Sequence, residues 1–118
     1  MASSKERRRF PRVDSEFPLR FRQIPVSGAG YLQANVEDVS ASGVRFWCSE
    51  EVRVRSSLLF ELLIPGAEPV HSFGRAVWVR ERPNREGFEI GGRFEEQSTM
   101  SRKALERHLQ RENAPSGA

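Results

Sequence analysis

Seven of the first 22 residues are basic, and four of these fall in Arg7-Arg8-Arg9-Phe10-Pro11-Arg12, where Arg8 and Arg12 form an R-x-x-x-R spacing. Arginine presents a planar fork of donors that grips phosphate or a guanine edge at two points, which the lysine ammonium cannot do. Such a cluster suits an anionic partner of defined geometry. A second group is Asp38-Val39-Ser40-Ala41-Ser42-Gly43, a D-x-S-x-x-G run of acceptors ending in glycine. Taken alone, each motif has an ordinary reading. The first is a solvated basic tail. The second is an Asx or Ser turn in which short polar side chains bond nearby backbone and Gly43 takes a positive φ. Trp78, in Ala76-Val77-Trp78-Val79-Arg80, shares the outer face of a strand with Arg80 if Val77 and Val79 face inward. It is then either a wall on which a base stacks or a half-buried barrel tryptophan. Cys48 alternates with Val44 and Phe46 and reads as core filler. His71 and His108 lie far apart in sequence, no nucleophile motif surrounds any serine, and metal sites need more clustered ligands. The enzyme reading is weak.

These residues need elements to hold them. Residues 1–12 read as a basic arm, with Pro11 biasing Phe10 to an extended shape. From residue 13 to 97 the chain reads as strands. Phe17, Leu19 and Phe21 alternate with Arg20 and Arg22, the period-two pattern of a half-buried strand. Ser27-Gly28-Ala29-Gly30 is a turn. Leu32, Ala34 and Val36 share one face, residues 38–43 break the run, and Val44, Phe46 and Cys48 alternate again. Leu58–Ile64 is a short apolar run closed by Pro65-Gly66, Val70–Arg82 is a long strand, and Pro83-Asn84-Arg85-Glu86-Gly87 reads as a hairpin loop before Phe88–Phe94. Residues 98–113 differ. Leu105 and Leu109 stand i, i+4 with Met100, Ala104 and His108 beside them, a short amphipathic helix behind a polar cap. Residues 114–118 read as a disordered tail. Short strands separated by turn signals predict a six- or seven-stranded antiparallel β-barrel, all-β except for one C-terminal α-helix.

Length and charge narrow the classes. One hundred and eighteen residues fit one domain of ordinary size. The net charge of +3 is local, because residues 1–22 carry +4 and the remainder −1. No apolar run approaches the ~18 residues of a membrane span, and no apolar stretch follows the basic N-terminus as in a signal peptide. The single cysteine permits neither an internal disulfide nor a thiolate metal cage. The expectation is a soluble cytoplasmic protein without cofactor, metal or membrane insertion.

Taken together and in order, the two motifs are more specific. An arginine arm just before a β-barrel, with D-x-S-x-x-G beginning 26 positions after Arg12, resembles the PilZ domain family, bacterial receptors for the second messenger cyclic di-GMP. Gly74-Arg75-Ala76-Val77-Trp78 looks like the family's glycine-to-tryptophan strand, and Ile90-Gly91-Gly92-Arg93-Phe94 like its closing strand. The resemblance covers roughly residues 7–112. Ser42 stands where many members have a second glycine, and Gly92 where a branched residue is usual. The resemblance implies a ligand site of Arg8, Arg12, Asp38, Ser40 and Gly43, and the chemistry agrees. Guanine presents O6 and N7 as paired acceptors, which suit arginine, and N1–H and N2–H₂ as donors, which suit a carboxylate. Arg8 and Arg12 then take phosphate and the O6/N7 edge, and Asp38 takes the donor edge. Ser40 adds a bond to an exocyclic amine or a phosphate, and Gly43 lets backbone approach the ligand or turn sharply. Arg7 and Arg9 flank Arg8, one toward ligand and the other toward solvent.

The resemblance also implies a receptor that orders its arm on binding cyclic di-GMP and presents a new surface to a downstream protein. Family members take one ligand or a stacked pair, and the residue before R-x-x-x-R is thought to matter. Arg7 there predicts two per chain. Two rivals stand beside this reading. One is a PilZ-like adaptor that does not bind nucleotide, against which the intact signature argues. The other is a small nucleic-acid-binding barrel, disfavoured because the basicity is confined to the arm.

Overall fold

The computed structural model describes residues 13–14, 16–24, 30–83 and 86–112. The 1–12 arm with Arg7, Arg8, Arg9 and Arg12, the Ser27-Gly28-Ala29 turn, the Asn84-Arg85 hairpin tip and the 114–118 tail lie outside the described residues.

Among the described residues, seven strands and one helix follow one another in the order β1 (Val13–Asp14), β2 (Pro18–Ile24), β3 (Leu32–Val39), β4 (Gly43–Cys48), β5 (Ser57–Leu62), β6 (Val70–Glu81), β7 (Phe88–Gln97) and α1 (Thr99–Glu112). All pairings are antiparallel. Running β3-β2-β5-β6-β7-β4 and returning from β4 to β3, six strands close a barrel. The seventh, β1, is a two-residue addition to β3, pairing Val13 with Val39 and Asp14 with Asp38.

Alternation places the core. Phe17, Leu19 and Phe21 are buried, as are Val44, Phe46 and Cys48. Facing Leu58, Phe60 and Leu62 complete the interior with Ile90. A chain of rings runs through it, Phe21 to Phe46 at 5.2 Å, Phe46 to Phe60 at 6.0 Å and Phe60 to Phe94 at 5.7 Å, the last two edge-on. Gly92 belongs to this packing, since a Cβ there would lie 2.7 Å from the Phe60 ring. The bulk that a branched residue would supply at that position comes here from phenylalanine.

Two bulges break the alternation where function is expected. Between Val36 and Asp38 the β3–β4 register slips at Glu37, so Val39 turns inward and Asp38 stands in the strand opposite Arg45. Asp38 is therefore a strand residue, and the break expected over 38–43 is confined to 40–42. A second slip between Ala76 and Trp78 makes Val77 the extra residue of β6. Val77 does not face inward as the strict alternation predicts; it is exposed, and Val79 packs against the core.

The helix packs on β6 through Ser101, Ala104, Leu105 and His108, all buried. Leu109 is only partly buried, and His108 takes the deeper place, edge-on to Phe17 at 5.4 Å. Met100, expected beside the apolar stripe, is 77% exposed, because it precedes Ser101 on the solvent side of the first turn. Ser98 caps the helix, its Oγ accepting from the Ser101 amide at 3.1 Å. Ser101 Oγ in turn accepts from the His71 amide at 2.9 Å, which ties α1 to β6.

Candidate functional site

Residues 40–42 form a tight connection between β3 and β4. The Ser40 amide donates to the Gly43 carbonyl at 2.8 Å, and Ser40 Oγ accepts from the Ser42 amide at 3.2 Å. The Ser42 carbonyl accepts from the Phe94 amide at 2.8 Å, so β7 pins the turn. Ser40 is 2% exposed, and its hydroxyl serves the turn in the way the Ser-turn reading predicts. Gly43 is required for a different reason than expected. It has no positive φ. Instead, a Cβ there would come within 2.4 Å of the Gly92 carbonyl oxygen, so any side chain would force β4 away from β7.

Asp38 is 5% exposed. Its partner is Arg45, a residue that sequence reasoning missed. Arg45 Nε donates to Asp38 Oδ2 at 2.7 Å, and Nη2 stands 2.6 Å from the same oxygen as an ion pair. Arg45 Nη1 donates to Glu89 Oε2 at 3.0 Å. Glu89 is 2% exposed and also accepts from Arg80, and from Arg82 at 3.0 Å. Arg82 reaches Glu37 Oε2 at 2.5 Å. Burial opposes ionisation of Glu89, but hydrogen bonds from Arg80 and Arg82 outweigh it and lower its carboxyl to about 2. Burial likewise opposes the Arg45 charge, and Asp38, Glu89 and Glu37 together raise its pKa above the ordinary value. One signal for Arg45 was present in the sequence. If Val44, Phe46 and Cys48 point inward, Arg45 points outward. The opposition to Asp38 depends on the bulge, which nothing in the composition marks.

The outer face continues across the barrel. Arg45 pairs with Gly91, and Gly91 with Trp78. Asp38, Arg45, Gly91 and Trp78 thus form one cross-strand row, roughly 14 Å from end to end at the usual strand spacing. A Cβ on Gly91 would lie 2.2 Å from the Trp78 indole nitrogen, so the ring lies over the glycine. Trp78 is 38% exposed and shares its face with Arg80, whose guanidinium carbon is 5.7 Å from the ring centre. Beside this row Gly43 pairs with Arg93, and Arg93 with Arg75; both arginines bond Glu95, at 3.3 and 3.1 Å. Part of the basic N-terminal segment is committed elsewhere. Arg20 bonds Glu61, and Arg20 and Arg22 lie against the Tyr31 ring at 5.1 and 5.4 Å.

The histidines do not join the site. His71 is exposed near Glu61 at 3.8 Å, and His108 packs under α1. Among the described residues no group of three metal-ligating side chains occurs, and no helix is long and apolar enough to cross a membrane.

A sequence profile of the PilZ domain matches residues 6–111. No curated protein matches the chain. Solved structures do. Escherichia coli YcgR in complex with c-di-GMP superposes with a TM-score of 0.69 at 19% identity, over 87% of this chain and 44% of that one. The K. pneumonia MrkH–c-di-GMP complex gives 0.73 at 13% identity, over 89% and 51%. The Bacillus subtilis inhibitor of motility MotI/DgrA gives 0.66 at 14% identity, over 88% and 52%. The chain spans about half the length of these three proteins, and at such identities the likeness is one of fold. With the profile spanning nearly the whole sequence, the chain belongs to the PilZ domain family.

Proposed function

We propose that the chain is a receptor for cyclic di-GMP that changes shape on binding and signals to a partner protein. One observation carries this reading. The β1–β3 pairing sets Val13 against Val39 and Asp14 against Asp38. Arg12 is bonded to Val13, one Cα step of about 3.8 Å away. The chain that follows the arginine motif in sequence therefore pairs with the start of the D-x-S-x-x-G motif, although 26 positions separate Arg12 from Asp38. This pairing supports a site that combines cations for phosphate with a carboxylate for the guanine donor edge. Arg8 and Arg12 take phosphate and the O6/N7 edge, Asp38 the N1–H and N2–H₂ edge, and Trp78 supplies a face for stacking. Arg7 makes room for a second, stacked ligand by supplying a further cation. Asp38 being paired with Arg45 supports the role, since a carboxylate that nearly leaves water needs a charged partner.

The signal has a route on the same side of the barrel. Ser42 lines a cleft of about 350 Å³ with Phe94 of β7 and with Arg102, Leu105 and Glu106 of α1. A ligand that shifts the 40–42 turn changes the seat of the helix, and the helix offers the partner its exposed face. The reading assigns the receptor no catalytic part and places it in the cytoplasm.

The experiment is a comparison of dinucleotides. Adenine lacks the N1–H donor, so the Asp38 carboxylate would face an acceptor and stay unpaired. Wild type binds cyclic di-GMP and rejects cyclic di-AMP, and Asp38→Ala loses affinity for the guanine dinucleotide. Equal affinity for both in wild type contradicts the reading.

A further inference from the structure

Side-chain rotation about χ2 in aspartate is broad and two-fold, so a carboxylate that must meet two donors in one plane needs something to hold it. Arg45 is placed to do this. Its Nε donates to Asp38 Oδ2 at 2.7 Å, and Nη2 stands 2.6 Å from the same oxygen. The opposite side of the same guanidinium donates from Nη1 to Glu89 Oε2 at 3.0 Å, and Glu37 Oε1 stands 3.9 Å from Nε. Glu89 is fixed in its turn by Arg80 and Arg82. The planar group is therefore bonded on two sides and cannot turn without losing both carboxylates.

We propose that Arg45, anchored by Glu89, is the positioning residue of the base-reading carboxylate Asp38, and that it sets the selectivity for guanine. The role rests on the cyclic di-GMP reading given above. It separates from charge alone by its sign. Removing a cation beside Asp38 makes that carboxylate more attractive to any donor, so an account by charge alone expects selectivity to hold or rise. An account by orientation expects it to fall.

The test compares cyclic di-GMP with its hypoxanthine analogue, which keeps O6 and N1–H and lacks the 2-amino group. A hydrogen bond to a charged acceptor sets the wild-type preference for guanine at about 10-fold or more. Arg45→Ala reduces that ratio to about 3-fold or less. Arg45→Lys keeps the charge, but a compact ammonium cannot span Asp38 and Glu89 together as the fork does, and the ratio falls here as well. The lysine variant carries the test if the alanine variant does not fold. A ratio unchanged from wild type in the folded variant, including equal weakening toward both ligands, overturns the positioning role while the receptor reading stands. A wild-type protein that binds neither dinucleotide overturns the receptor reading, and this role with it.

Discussion

A charged side chain that leaves water needs a partner, and Asp38, Arg45 and Glu89 show how one site meets that demand. Asp38 and Glu89 are almost without exposure, and Arg45 is the partner they share. The arm arginines answer to a different demand. As the arginines proposed to take phosphate, Arg8 and Arg12 are expected to act in binding and to contribute little to the fold. Removing one partner of a buried, hydrogen-bonded charge pair costs about 2–5 kcal/mol. Arg8→Ala and Arg12→Ala are therefore each expected to weaken cyclic di-GMP binding at least ~30-fold, with little change in the melting temperature of the unliganded protein. Titration and thermal melts of the same samples check both halves. Unchanged affinity in both variants contradicts their role.

Helix α1 carries the one buried histidine of the described residues, and this gives the element a pH response. Burial lowers the His108 pKa from the ordinary 6.5, with Glu112 opposing and Arg111 adding. A base with a depressed folded pKa favours folding when neutral. Its contribution is complete above pH 6.5 and is lost as the pH falls through 6.5 toward the folded value. Protection of the α1 amides, taken relative to intrinsic exchange at each pH, is expected to fall between pH 7 and 5, and His108→Leu to remove most of that dependence; equal protection at both pH values would contradict it. Elements with clean alternation were legible in the sequence. Phe17, Leu19 and Phe21, and Val44, Phe46 and Cys48, stand where a period of two places them. The bulges were not legible, since one extra residue at Glu37 or Val77 alters register without altering composition. The facing of Val77 and the strand setting of Asp38 followed from them. In the helix, the i, i+4 leucines pointed to the right face, but the depth of His108 depends on where Phe17 lies, which is a tertiary fact. The site was legible as two motifs. Its charged scaffold of Arg45, Glu89, Arg80 and Arg82 was not, because those residues come from three strands whose register only the closed barrel fixes.

For the whole molecule, closure decides what can meet. Six strands in a ring bring β3, β4, β7 and β6 side by side, so that Asp38, Arg45, Gly91 and Trp78 share one outer face, while β1 pairs Asp14 with the first of them. A stacked pair of cyclic di-GMP molecules carries four phosphates, and their mutual repulsion calls for a cation beyond Arg8 and Arg12. Arg7 is expected to supply it and to lie flat on an outer guanine. Wild type then binds two ligands per chain, and Arg7→Leu binds one with measurable affinity; an endpoint near one for wild type rules out the paired form. The account as a whole rests on a nearer question, whether this barrel takes the guanine dinucleotide at all. Calorimetric titration of the chain with cyclic di-GMP, beside GTP and cyclic AMP, answers it. Saturable binding of cyclic di-GMP alone, lost or weakened at least ~30-fold in Arg12→Ala, is the predicted result. No binding of cyclic di-GMP, or equal binding of all three nucleotides, would contradict it.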